Sequence, residues 1–472
     1  MHRTERPTAS PRTTPASRFV ALLTAIAVAA ASAPAQAQGT GGLPLIRDAE
    51  TEQLLREYTQ PILRAAGLAQ QNVHVVIINE RTFNAFVADG KRIFVNAGAL
   101  MEAQTPNQII GVLAHETGHI AGGHLSKMRE QLANATTQSI IAMLLGVGAM
   151  VAGARSGSNS GLGAAGSAIM SGPQQAIQRS LLAYVRAQEE QADRAGVKFL
   201  TATGQSAKGM HDTFKRFADQ MLFMAGQVDP YVQTHPMPVE RVAALEELAR
   251  SSPYWDKKDS AELQLRHDLM RAKLYGFMER PDTVARRYPA TDTSLPARYA
   301  RAISSYRHAD LHNATAQIDA LIQAQPNNPY FHELKGQALL EAGHAAAAIA
   351  PLRRAVQLAP NPALIQVLLG QALVAANDPK LADEAVSTLR TAMVREPEVP
   401  EGYTQLAMAY GRKGDLAQAD LASAQAAAAR GDMKTARSLA TRAKTRFAVG
   451  TPGWVKADDI VSSRPTAGNN SP

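Results

Sequence analysis

The sequence contains no cysteine. That absence excludes disulfide scaffolding, thiolate zinc sites, iron–sulfur clusters and cysteine nucleophiles together, so any metal must be held by histidine and carboxylates. Aromatic residues make up only 5% of the chain and tryptophan occurs twice, which leaves Ala, Leu, Val and Ile to build the core. The apolar runs at 19–31 and 139–153 both fall short of the ~20 residues a helix needs to cross a bilayer. What remains is a chain of 472 residues, 45% hydrophobic and 19% charged, long enough for roughly two to four domains.

The formal charge of +8 points to nucleic acid or an anionic membrane only if it survives processing. Much of it sits at the start. Arg3, Arg6, Arg12 and Arg18 face only Glu5, an apolar run follows from Phe19 to Ala31, and Ala35-Gln36-Ala37 supplies small residues at a cut site. This is the pattern of a secretory signal over residues 1–37, with cleavage expected after Ala37. Its loss removes four arginines against one glutamate, and no basic patch interleaved with aromatics remains, so no nucleic-acid partner is expected. An exported chain without cysteine suits the periplasm, where disulfides are permitted but not required.

Three regions follow. Residues 38–250 mix helical and strand patterns, 251–261 are polar with Pro253 and read as a linker, and 262–450 are helical and Ala-rich. Residues 451–472 read as a disordered tail. The helical region repeats itself: Pro326 and Pro360 lie 34 residues apart, as do Gly336 and Gly370. In that register Ala302, Gly336, Gly370 and Ala407 share one small-residue position. Ala314, Ala348, Ala385 and Ala419 share a second, once three extra residues near 377–380 are allowed. Leu321, Ala355, Ala392 and Ala426 share a third. This resembles the tetratricopeptide repeat, in which small residues let antiparallel helices approach and proline stops the second helix. Such arrays form curved grooves that bind peptides or partner proteins.

Within an apolar-periodic helix, residues 115–119 read His-Glu-Thr-Gly-His. His115 and His119, four residues apart, project from one helix face onto a single ion, and Glu116 is offset toward a bound water. Catalytic zinc takes three protein ligands and one open position, and the third ligand has two candidates. His124 follows Gly122-Gly123, which can end the helix and turn the chain back, but it falls one residue short of the metzincin spacing. Glu189 lies on a helix expected over 174–200, one turn before Asp193 on the same face, and Asp193 can orient a ligand histidine through its other ring nitrogen.

With the Glu-x-x-Ala-Asp pattern at 189–193 after His-Glu-x-x-His-x-x-x-x-His, and the segment 84–100 upstream of the motif helix, the chain resembles the zinc endopeptidases that include the CAAX prenyl protease and the heat-shock protease HtpX. The resemblance implies one zinc ion per subunit on His115, His119 and Glu189, Glu116 as the catalytic carboxylate, and a supporting role for Asp193. It also matches a later His-Pro motif to His235-Pro236 with a following Arg241. These two are candidates for oxyanion stabilisation, and a neutral His235 is a second candidate for the open zinc position, holding the enzyme latent. The fold class implied is mainly α: a zincin-like metallopeptidase domain of helices plus a small β-sheet, followed by an α-helical tetratricopeptide repeat superhelix. The function implied is a periplasmic endopeptidase for unfolded or misassembled envelope proteins, with the repeats docking substrate or outer-membrane assembly machinery. A chaperone or adaptor with a largely latent site is the alternative.

A substrate strand is expected to add to the sheet edge near 92–96, since main-chain pairing tolerates varied side chains. The apolar and Gly/Ser-rich insert at 139–172 reads as a lid over the cleft or a peripheral membrane contact, with a buried core helix equally compatible with its length.

Overall fold

Short runs of β-branched residues at 74–78 and 92–96 form strands, and helical periodicity on either side supplies the layers that cover them. The computed structural model describes residues 44–130, 183–223, 231, 235–236, 238–308 and 310–463. The expected signal segment 1–37 and the insert 139–172 lie outside the described residues. Among the described residues, no helix is long and apolar enough to cross a membrane.

The chain is mainly α with one small sheet. Strands β1 (Leu45–Ile46), β2 (His74–Ile78), β3 (Ala85–Val87) and β4 (Arg92–Asn96) run in the order β1-β2-β4-β3. β4 pairs parallel with β2, from His74↔Arg92 to Ile78↔Asn96, and antiparallel with β3 through Phe86↔Phe94. Both edges of β4 are therefore taken, which corrects the expectation of a substrate strand at 92–96. Among the described residues the edge strands are β1 and β3, and β3 is the one that lies against the segment bearing the histidine motif. Three residues are too few to show a strand period in sequence; β3 is held by its pairing with β4, helped by the Asp89 carboxylate, which accepts from the Lys91 and Arg92 amides where the chain folds back.

Helices α1 (Ala49–Ala65) and α2 (Ala97–Glu102) cover the sheet, and α3 (Pro106–Ala121) carries the histidine motif. A capping box between Thr105 and Gln108, with Pro106 in the first turn, starts α3. Ile109, Ile110, Val112 and Leu113 are all buried, so this helix runs through the core rather than over it. Residues 183–202 form α4, followed by α5 (Lys208–Phe223) and α6 (Val239–Arg250). α4 can lie against α3 because Gly118 has no side chain: a Cβ there would meet the Ala192 carbonyl oxygen at 2.7 Å.

The segment read as a linker is packed rather than free. Trp255 leans on the core between Lys208 and Arg250, whose charges sit 5.2 and 4.7 Å from its ring centroid. Ser206 Oγ donates to the Trp255 carbonyl at 2.6 Å, and Asp259 accepts from the Asn107 amide at 2.9 Å. Part of its polarity is taken up by these caps and ring contacts, while most of its side chains stay exposed. Helix α7 (Ala261–Met278) then serves two cores, with Met270 and Leu274 facing the N-terminal one and Leu269 joining Tyr299, Ile303 and Phe331 of the repeats.

The repeats are antiparallel helix pairs, as in Pro329–Glu341 with Ala345–Leu358 and Ala363–Ala375 with Ala382–Arg395. The small residues sit where helices cross: a Cβ on Gly336 would lie 2.3 Å from Leu352, and one on Gly370 would lie 2.4 Å from Leu389. The three extra residues near 377–380 are absorbed by Asn377 at φ 56° and a single 3-10 turn, Pro379–Leu381. The tail expected to be disordered from 451 is ordered at first, because Pro452–Ser462 is a helix. Ala457, Ile460 and Val461 form an apolar face that packs on Ala440 and Ala443, a partnership invisible within the tail itself. Residues 464–472 lie outside the described residues.

One buried polar knot joins the two regions. Lys273 Nζ lies 2.5 Å from Asp48, 3.3 Å from Glu50 and 3.8 Å from Glu333, and the Tyr299 hydroxyl donates to Glu50 at 3.0 Å. Ala49 packs beside it on Ala355 and Ile365 of the repeats. One ammonium facing three carboxylates is an incomplete balance. Burial pushes Glu333 up to about 7, with the attraction of Lys273 outweighed once the repulsion of Asp48, Glu50 and Glu52 is added. A carboxyl raised in the fold above its ordinary value of 4.5 contributes stability at low pH that is lost as pH rises through about 7. The thermal midpoint of Glu333→Gln, relative to wild type, should therefore improve progressively from pH 5 to pH 8; a pH-independent difference would contradict this. Lys273→Ala leaves the carboxylates uncompensated and should cost about 3–5 kcal/mol in denaturant unfolding.

Candidate metal centre

Three helices and one loop converge on a single point. α3 contributes His115, Glu116 and His119, α4 contributes Glu189 and Asp193, α6 contributes Arg241, and His235 precedes α6. His115, Glu116, Glu189, Asp193, His235 and Arg241 are all buried. One ligand atom from each of His115, His119, Glu189 and His235 lies within 4.8 Å of every other.

The separations are close to even. His115 Nε2 is 3.0 Å from His119 Nε2 and 3.4 Å from Glu189 Oε2, and His119 Nε2 is 3.4 Å from Glu189 Oε1. His235 Nδ1 lies 3.4 Å from His115 Nε2 and 3.1 Å from Glu189 Oε2. Metal bonds of about 2.0–2.1 Å in a tetrahedral site put donor atoms about 3.3 Å apart. The donor set, nitrogen and carboxylate without sulfur, fits zinc.

The donors are held from behind. Asp193 Oδ1 is 2.9 Å from His115 Nδ1, and because a carboxylate only accepts, it fixes a proton on Nδ1 and leaves Nε2 as the nitrogen that faces the other donors. Arg241 grips Asp193 in a fork, Nε to Oδ2 at 2.7 Å and Nη2 to Oδ1 at 2.8 Å, and its Nη1 reaches Glu189 at 2.9 Å and the Pro236 carbonyl at 2.8 Å. With four of its five N–H groups on Asp193, Glu189 and Pro236, Arg241 is placed to position the carboxylates of α4 rather than to meet an oxyanion. Phe214 backs the arrangement, its ring edge-on to His115 at 5.2 Å and under the Arg241 guanidinium at 5.3 Å.

Electrostatics divide the carboxylates. Burial would raise Glu189, but the charges of His235 and Arg241 hold it well below the usual carboxylate range. Asp193 is likewise lowered, because Arg241 overcomes its burial. Glu116 goes the other way: burial pushes it up, against the opposing pull of His235 and His115. Neither Glu116 oxygen has a hydrogen-bond partner, and His235 Nε2 is 3.5 Å away. Burial also lowers His115, yet its bonds to Asp193 and Glu189 lift it to about 9, while burial and the His115 charge drive His119 well down.

Residues 49–249 match Peptidase family M48. This stretch is an M48 peptidase domain. Along most of its length the chain is also similar to the beta-barrel assembly-enhancing protease of Yersinia pestis, 24% identical over 416 residues, covering 86% of this chain and 82% of that protein. The protein of the same name from Escherichia coli (strain K12) is 22% identical over 426 residues, covering 87% and 82%. Among solved structures, YrrB, a TPR protein with an unusual peptide-binding site, aligns at 17% identity over 48% of this chain and 96% of that one, with a TM-score of 0.28. The M48 match supports a metallopeptidase, and the cluster described above suits its metal.

The structure brings together every residue singled out from the M48-like motifs. His124 lies beside His119 but outside the four converging donors. Phe214 and the Ala85 carbonyl, which lies 3.3 Å from His235 Nε2, went unread because nothing local marks a ring or a strand carbonyl as part of a site. Removal of the guanidinium should expose the electrostatic dependence. Arg241→Ala leaves Glu189 and Asp193 buried without a counter-charge and should destabilise by about 3–5 kcal/mol; Arg241→Lys, lacking the fork, should restore little of it. A melting curve of the lysine variant equal to wild type would contradict the bidentate role.

Proposed function

We propose that the chain is a zinc-dependent endopeptidase of the periplasm that cleaves misfolded or misassembled outer-membrane and envelope proteins, its repeats docking substrate or assembly machinery. The observation that carries this reading is the convergence of His115, His119 and Glu189 beside a buried Glu116 with no hydrogen-bond partner. The names of the similar proteins support the envelope setting, and the Arg-bearing apolar leader supports export.

His115, His119 and Glu189 would hold the zinc. Zinc in such a site supplies an activated water near neutral pH and polarises the scissile carbonyl. Glu116 is the base: its raised proton affinity lets it take a proton and return it to the leaving amine. Asp193 holds His115 in the binding tautomer, and Arg241 keeps both carboxylates of α4 ionised. An extended substrate pairs with the free edge of β3, Ala85–Val87, which lies over α3. His235 completes the donor set in this conformation and so represents the latent state; substrate enters when it leaves.

The position of His235 also favours a second reading, a chaperone or adaptor for outer-membrane protein assembly whose protease site is largely silent. Glu116→Gln separates the two. It should retain zinc and lower cleavage of an unfolded outer-membrane protein by about 10²–10⁴-fold. Undiminished cleavage would end the protease reading, and full assembly activity in the variant would show the adaptor role alongside it. His235→Ala should raise cleavage; a fall would reassign His235 from latch to participant.

A further inference from the structure

A third imidazole stands behind the second. His119 Nδ1 is 3.0 Å from His124 Nδ1. The two rings are edge-on, 5.0 Å between centroids and 84° between planes. Gly123, at φ 62°, turns the chain back at the end of α3, a conformation glycine adopts without penalty. Gly122 clears the space the ring needs, since a Cβ there would lie 2.2 Å from His124 Nε2. From α4, Gln188 Nε2 donates to the His124 carbonyl at 3.3 Å. His124 is buried, yet it is not one of the four converging donors.

We propose that His124 is a positioning residue that holds His119 in the tautomer able to bind the metal. The inference rests on the reading of His119 as a ligand. A histidine binds metal through a bare ring nitrogen, and the bond made by the other nitrogen decides which one is bare. Asp193 makes that decision for His115. At His119 the corresponding partner is His124 Nδ1, which accepts from His119 Nδ1–H and so leaves Nε2 bare toward the other donors. His119 Nε2 lies 3.0 Å from His115 Nε2, and the tautomer with its proton on Nε2 would turn a donor, not an acceptor, toward the metal position. The acceptor behind it opposes that tautomer. An imidazole, unlike a carboxylate, can also donate, so His119 is held less firmly than His115 and is the ligand more dependent on its partner.

The test uses the full mature chain, stripped of metal and titrated with zinc against a chromophoric chelator, with ¹⁵N-histidine spectra of the metal-free and loaded forms. His124→Ala should weaken zinc binding about 10–100-fold. His124→Asn, whose side-chain carbonyl can accept the same Nδ1–H, should recover most of the loss, and loaded wild type should carry the His119 proton on Nδ1. Gly122→Ala, which displaces the His124 ring while keeping both histidines, should weaken binding in the same direction and serves if His124→Ala does not fold. Wild-type affinity in both His124→Ala and Gly122→Ala would overturn the proposal. So would an asparagine variant as weak as alanine with one imidazole fewer on the metal, since His124 would then be a ligand. Failure of wild type itself to bind zinc would instead remove the ligand reading on which the inference rests.

Discussion

The fork between Arg241 and Asp193 is the interaction on which the site depends. It joins α6 to α4, and through the Asp193–His115 bond it reaches α3, so three helices distant in sequence are fixed by one guanidinium. A buried guanidinium and carboxylate repay their desolvation only with good geometry and further hydrogen bonds, and Arg241 supplies them through Nη1 to Glu189 and the Pro236 carbonyl. The charge count then has a consequence. With Glu116 ionised and the histidines neutral, as metal binding requires, Glu116, Glu189 and Asp193 surround a single guanidinium, leaving an excess of two negative charges in a buried volume. A divalent cation balances that excess.

The same logic of incomplete local balance governs the join to the repeats. Lys273 on α7 is surrounded by Asp48, Glu50 and Glu333, drawn from the start of the chain and from the array. Arg47 bridges Glu52 and Glu396 alongside it. The array therefore packs on α1 of the M48 domain through charges as well as through Ala49, Ala355 and Ile365. Repeat residues on that side are committed to the chain's own core.

The chemistry-bearing residues were legible because they are periodic within single helices. His115 and His119, and Glu189 and Asp193, are each four apart, and the backbone alone places each pair on one face. The repeats were legible for a similar reason, since Gly336 and Gly370 recur at the 34-residue spacing where helices must cross closely. What escaped depends on partners far along the chain. The three-residue β3 exists only through its pairing with β4. The terminal helix is ordered by Ala440 and Ala443, and the donors of Arg241 are consumed by carboxylates some fifty residues earlier. Polarity at 251–260 suggested a tether because sequence gives no sign of the rings and caps that absorb part of it.

His235 draws these strands together. Its Nδ1 lies among the metal donors, its Nε2 lies 3.5 Å from Glu116, and the same Nε2 is 3.3 Å from the Ala85 carbonyl on the free edge of β3. On the proposed reading, those are the three places a scissile peptide has to occupy: the position beside the metal, the reach of the base, and the strand that orients the chain. A single imidazole would then block all three, so that partial movement would not suffice and the ring would leave as a unit. Its departure loses the Arg241 bond to the Pro236 carbonyl but leaves the Arg241–Asp193 fork untouched, because both halves of the fork lie on α4 and α6. On the same reading the site would open without loosening His115, which would make the ligand frame and the latch energetically separable.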